Sequence, residues 1–207
     1  MDSRIDDAPR RSLRYWYDDG LAELLVGALF LLLAALFAIE GRAPAGSLPA
    51  AFSAFGLPVL VIGGTIAGGL AVRAIKERLT YPRTGYVSYP RARPARKGLA
   101  GILGGVISLV LVLILAARPG WIAALPAVQG ASVALILGIL ALRSGLSRLA
   151  IQGSLALAGG LAASFIGAEI WTGSALVFGV TGLASLGGGA YTLMRYLRAT
   201  NPPAESA

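Results

Sequence analysis

Six long apolar stretches alternate with short polar segments along the chain, at approximately Leu21–Ile39, Leu57–Ile75, Leu99–Ala117, Trp121–Leu142, Leu149–Ala168 and Trp171–Met194. Each is close to the roughly 20 residues that cross a ~30 Å hydrocarbon core at about 1.5 Å per residue. Backbone amides find no water in lipid and must be satisfied within their own segment, so such runs read as helices. The pattern predicts an all-α polytopic membrane protein, a compact bundle of about six transmembrane helices. In the fourth stretch Pro126 and Gln129 come early, so its spanning part is expected to start near Pro126, a tolerated first-turn position. Only Glu169 and Ile170 separate the fifth stretch from the sixth, which demands a tight antiparallel hairpin.

The polar punctuation is asymmetric. Arg4, Arg10, Arg11 and Arg14 precede the first stretch. Arg73, Lys76, Arg78, Arg83, Arg91, Arg93, Arg96 and Lys97 mark the end of the second stretch and the connection after it. Arg143 and Arg148 lie between the fourth and fifth, and Arg195 and Arg198 follow the sixth. Only Arg42 and Arg118 fall on the other side of a six-helix path. Basic residues collect on the cytoplasmic side of membrane proteins, so the partition predicts six crossings with both termini inside. It divides the chain into a cytoplasmic amino-terminal interfacial segment (1–20), a membrane domain (21–194) that includes a basic cytoplasmic connection (76–98), and a cytoplasmic tail (195–207). The apolar run from Leu21 is too long for an ordinary signal-peptide core, and no small-residue cleavage site clearly follows, so it is expected to be retained.

Composition agrees with this reading. Of 207 residues 56% are hydrophobic before 28 glycines are counted, and the mean hydropathy is +0.73. A soluble domain holds roughly 45–50% apolar residues with glycine included. The net charge of +8 is accounted for by the sidedness of the arginines, so nucleic acid is not expected as a partner. Cysteine and histidine are both absent from the sequence, which removes thiolate and imidazole metal ligands, Cys or Ser–His nucleophile pairs and histidine proton relays. Carboxylates alone could still hold a hard cation. No catalytic, cofactor-binding or metal-binding set is assigned, and no cofactor is expected.

Small residues recur at four-residue spacing, as in Gly64 and Gly68, Ala67 and Ala71, Gly101 and Gly105, Ala156 and Gly160, and Ala184 and Gly188. Such faces let helix backbones approach closely. Packing within the bundle is the expected use, and a homo-oligomer interface is the alternative.

Two places carry polar chemistry. Asp18, Asp19 and Glu23 cluster at the mouth of the first helix, and Asp19 and Glu23 share a face if that helix begins early enough. One reading is an ion or proton site. The other is structural: an aspartate caps the helix, Glu23 sits in the first turn where the helix dipole favours negative charge, and Arg14, Arg73 or Lys76 neutralises it. The basic connection carries the second, Tyr81-Pro82-Arg83-Thr84-Gly85-Tyr86-Val87-Ser88-Tyr89-Pro90-Arg91, followed by Arg93. Its prolines forbid a continuous helix. Tyr81, Arg83, Tyr86, Tyr89, Arg91 and Arg93 are candidate contacts for anionic headgroups on the cytoplasmic side or for a protein partner.

Two blocks, Tyr15-Trp16-Tyr17-Asp18-Asp19-Gly20-Leu21-Ala22-Glu23 and Lys76-Glu77-Arg78-Leu79-Thr80-Tyr81-Pro82-Arg83-Thr84-Gly85-Tyr86-Val87, resemble a family of small bacterial polytopic membrane proteins to which no activity is attached. The resemblance implies a prokaryotic plasma membrane and a meeting of the two blocks on the cytoplasmic face, and carries over no catalytic residue. The expected function is that of a non-enzymatic accessory, assembly or sensory partner acting through the Tyr/Pro/Arg face. The alternative is a transporter, or transport component, for a small neutral or weakly charged solute, its cavity lined by Gln129, Gln152 or Trp171. A membrane enzyme built on Asp18, Asp19 and Glu23 is a third reading.

Overall fold

The computed structural model describes residues 16–44, 46–80, 117 and 119–200. Among them every regular element is helical. Helix α1 spans Leu21–Glu40 and α2 spans Leu48–Ile75, continuing into a π-helical turn at Lys76–Thr80. After a 3₁₀ turn at Pro119–Ala124 come α3 (Leu125–Ser144), α4 (Ser147–Phe165) and α5 (Ile170–Ala199). The expected third span, Leu99–Ala117, falls outside the described residues apart from its last position.

Four segments are long and apolar enough to cross a membrane: Leu21–Glu40, Phe55–Thr80, Trp121–Ser144 and Ile170–Ala199. The expected fifth span is a helix of 19 residues that does not join them. Its first six residues include Ser147, Arg148 and Gln152, and Gly167, at φ 65°, follows soon after its last turn. The second helix begins at Leu48 rather than near Leu57, with Pro49 in its first turn and Pro58 inside it. The fourth enters at Leu125 with proline at the start, as the position of Pro126 predicts.

The helices run alternately between two ends of the molecule, named here for Asp19 and Trp171. Helix α1 starts at the Asp19 end, and α2 returns there. Helix α3 ends at the Asp19 end too, because α4 follows it through a turn at Gly145 (φ 72°) and begins with Arg148 beside Glu23. Helix α5 starts at the Trp171 end and finishes alongside the start of α1.

The core is built on backbone proximity. Helices α1 and α5 pack antiparallel, with Gly20 against Gly189 and Gly27 against Gly182. A Cβ on Gly27 would stand 2.7 Å from the Leu186 amide nitrogen and 2.9 Å from the Gly182 carbonyl oxygen, distances real side chains do not reach. Further along the same pair, Phe37 stacks on Phe178 with ring centroids 5.5 Å apart and on Trp171 at 6.2 Å. Helices α3 and α4 use the same device, Gly130 lying on the Ala156 carbonyl and Gly160 on the Pro126 carbonyl. The Ala156/Gly160 face is therefore an internal packing face. Gly64 meets the Leu29 side chain, whereas Gly68 has open space around it. Helix α2 packs on α1, and its outer side exposes Phe55, Ile62, Ile66 and Leu70.

Candidate functional site

At the Asp19 end four helices bring polar side chains together beneath the apolar bundle. The chain turns into α1 at Gly20, whose φ of 74° and contact with the Gly189 carbonyl exclude any side chain. Because α1 starts only at Leu21, Asp19 and Glu23 do not lie on one continuous helix face. They point into two separate ion pairs, which corrects the picture of a single acidic mouth.

Asp19 pairs with Lys76 from the π-turn that extends α2, with Nζ 2.6 Å from Oδ2 and both side chains 1% exposed. The Thr80 hydroxyl donates to Oδ2 at 3.1 Å and the Leu21 amide to Oδ1 at 3.2 Å. The aspartate thus bonds the first backbone amide of α1, close to the capping role expected for it. Lys76 also donates to the Trp16 carbonyl at 2.8 Å and lies 4.9 Å from the centre of the Trp16 ring, a cation–π contact. Its charge is enclosed on three sides.

Glu23, 3% exposed, takes its cation from α4. Arg148 donates from Nε to Oε1 at 2.6 Å, and a second guanidinium nitrogen donates to the Tyr17 carbonyl. Gln152, one turn further along α4, donates to Oε2 at 3.1 Å and accepts from the Ser185 hydroxyl of α5 at 3.3 Å. Gly188 makes the room: a Cβ there would stand 3.0 Å from the Gln152 amide nitrogen. The cation for Glu23 is therefore Arg148, not Lys76, which serves Asp19, nor the exposed Arg73; Arg14 lies outside the described residues. Burial raises the Tyr17 phenol above its usual value, with the nearby Glu23 carboxylate adding to the effect.

Each carboxylate faces one cation and accepts a bond on both of its oxygens, which suits a clamp better than an open ion site. Among the described residues no group of three His, Cys, Asp or Glu side chains could hold a metal. Asp18 is exposed and is not the carboxylate of either pair. The Tyr/Pro/Arg candidates (Tyr81, Arg83, Tyr86, Tyr89, Arg91, Arg93) lie outside the described residues, but the π-turn that leads to them is part of the first ion pair. Of the proposed cavity residues, Gln152 is bonded and Trp171 is stacked. Gln129 keeps a buried carbonyl oxygen without a partner.

Thr80 and Arg148 were not singled out by the sequence as partners of the acidic residues, and Lys76, expected as one candidate beside Glu23, pairs with Asp19 instead. The available signal was Arg148 and Gln152 four apart at the start of an apolar helix, which places both on one face. No family model, curated protein or solved structure matches the chain.

Proposed function

We propose that this chain is a non-enzymatic integral protein of a prokaryotic plasma membrane, crossing it six times with both termini in the cytoplasm. In this reading it acts as an accessory, assembly or sensory partner through its basic 76–98 connection. Connectivity supports the crossing number: α2 ends at the Asp19 end and α3 starts at the opposite one. In this reading the chain between them crosses the bilayer once more, in the further apolar stretch of spanning length that it holds, Leu99–Ala117. The arginine distribution supports an orientation with the Asp19 end inside. Because the sequence lacks cysteine, single cysteines introduced one at a time at Ser3, Ser47 and Ala204 test this directly. A membrane-impermeant maleimide applied to intact cells should label the second alone, and labelling of the first or third would overturn the orientation.

The observation that carries the functional reading is the Lys76–Asp19 pair. It holds the root of the Tyr/Pro/Arg connection against α1, with Thr80 bonded to the same carboxylate one residue before Tyr81. A connection needed only as a topology signal has no use for so rigid a root. The transport reading gains no comparable support, since Gln152 and Trp171 are taken up in packing. Crosslinking followed by purification from native membranes should recover a reproducible partner. Replacing Tyr81, Arg83 and Tyr86 together with alanine should abolish its recovery without lowering the chain's own yield. Undiminished recovery would show the docking role to be wrong.

A further inference from the structure

Helix α5 has 30 residues and is about 45 Å long, well beyond the ~30 Å of a hydrocarbon core. Gly189 lies level with the start of α1, so the stretch from Tyr191 to Ala199 runs on past the apolar bundle. One side of this extension faces the protein: Thr192 meets Gly20, and the Tyr196 hydroxyl reaches the Thr80 carbonyl at 3.4 Å. The opposite side carries Tyr191, Met194, Arg195, Arg198 and Ala199, whose spacing puts them on one helix face. They line an open hollow of about 370 Å³ on that face. Neither arginine is paired with a carboxylate among the described residues.

The vertical order of these groups is informative. Tyr191 and Met194, both more than half exposed, come first along the helix, nearer the hydrocarbon. In the membrane-spanning reading Arg195 and Arg198 follow at headgroup depth. An anionic phospholipid has the same order, acyl chains and glycerol first and then the phosphate. We propose that this face of α5 is a binding site for the anionic headgroup of a phospholipid, its phosphate held by Arg195 and Arg198 and its glycerol region resting on Tyr191 and Met194. The site rests on the membrane-spanning part of the function proposed above but not on the docking partner. Lipid retention and partner recovery can therefore fail independently.

The test is native mass spectrometry of the full chain released from detergent after incubation with phosphatidylglycerol or phosphatidylcholine. Phosphatidylglycerol adducts should dominate, and the double variant Arg195→Ala/Arg198→Ala should lose them by roughly thirtyfold, because both arginine contacts to one phosphate are removed. A control variant Arg73→Ala/Arg143→Ala removes two exposed arginines elsewhere and should retain lipid like the parent. Equal retention of the two lipids would overturn the proposal. So would undiminished adducts in the α5 variant, or an equal loss in the control, which would mean that net charge and not this site attracts the lipid.

Discussion

Replacing Arg148 with methionine is expected to destabilise the bundle by about 3 kcal/mol, the low end for stripping the partner from a buried charge. The low end applies because the Arg148 side chain is itself 27% exposed, so water can reach part of the vacated space. Glu23 would be left with Gln152 as its partner, in a site that excludes solvent from almost all of its surface. For a chain of this size the loss corresponds to a melting point roughly 6–12 °C lower, measurable by circular dichroism in detergent. Adding Glu23→Gln to the same variant should recover part of the loss, because it removes the stranded charge. Arg148→Lys should fall between, since one ammonium cannot reproduce the two directions in which the guanidinium donates to Glu23 and to the Tyr17 carbonyl. A melting point unchanged in Arg148→Met would mean that Glu23 is solvated and the pair contributes nothing.

The helices and the site differ in how far the sequence alone reveals them. Helix α1 is bounded by Gly20 and Gly41, so its span is readable almost to the residue. The entry of α3 follows from Pro126 in the same way. The start of α2 is missed by nine residues because hydropathy marks the lipid-buried part of a helix, whereas the helix itself extends out through Leu48, Pro49 and Ala50. Helix α4, expected at Leu149–Ala168, is found at Ser147–Phe165, but it does not join the four segments apolar enough to span. Its interior polar face, Arg148 and Gln152, lowers its hydropathy because those residues serve Glu23 and not lipid. The pairings themselves leave no local trace. Asp19 and Thr80 are 61 residues apart and Glu23 and Gln152 are 129 apart, so neither contact imposes a periodicity that a sequence window could register. The glycine contacts between α1 and α5 escape for a related reason: Gly20 with Gly27 and Gly182 with Gly189 are spaced by seven, not four, and match only once the two helices lie antiparallel.

Lys76→Met is expected to cost more than the arginine variant, about 3–5 kcal/mol, because both partners of that pair are only 1% exposed. Methionine keeps most of the stem that packs on Trp16 but abolishes the ion pair, the bond to the Trp16 carbonyl and the cation–π contact together. Asp19 would retain the Leu21 amide and the Thr80 hydroxyl, which orient a buried carboxylate without neutralising it. The double variant Asp19→Leu/Lys76→Met separates the two parts of this cost. If most of it is the stranded charge, the apolar pair should melt closer to the parent than Lys76→Met does, as replacement of buried ion pairs by well-packed apolar residues often allows. If the double variant is as unstable as the single one, the pair itself holds the π-turn to α1, through a geometry that apolar side chains cannot copy. The second outcome would tie the root of the basic connection to a directional bond. Partner recovery should then fall in both variants, although Tyr81, Arg83 and Tyr86 are intact in each.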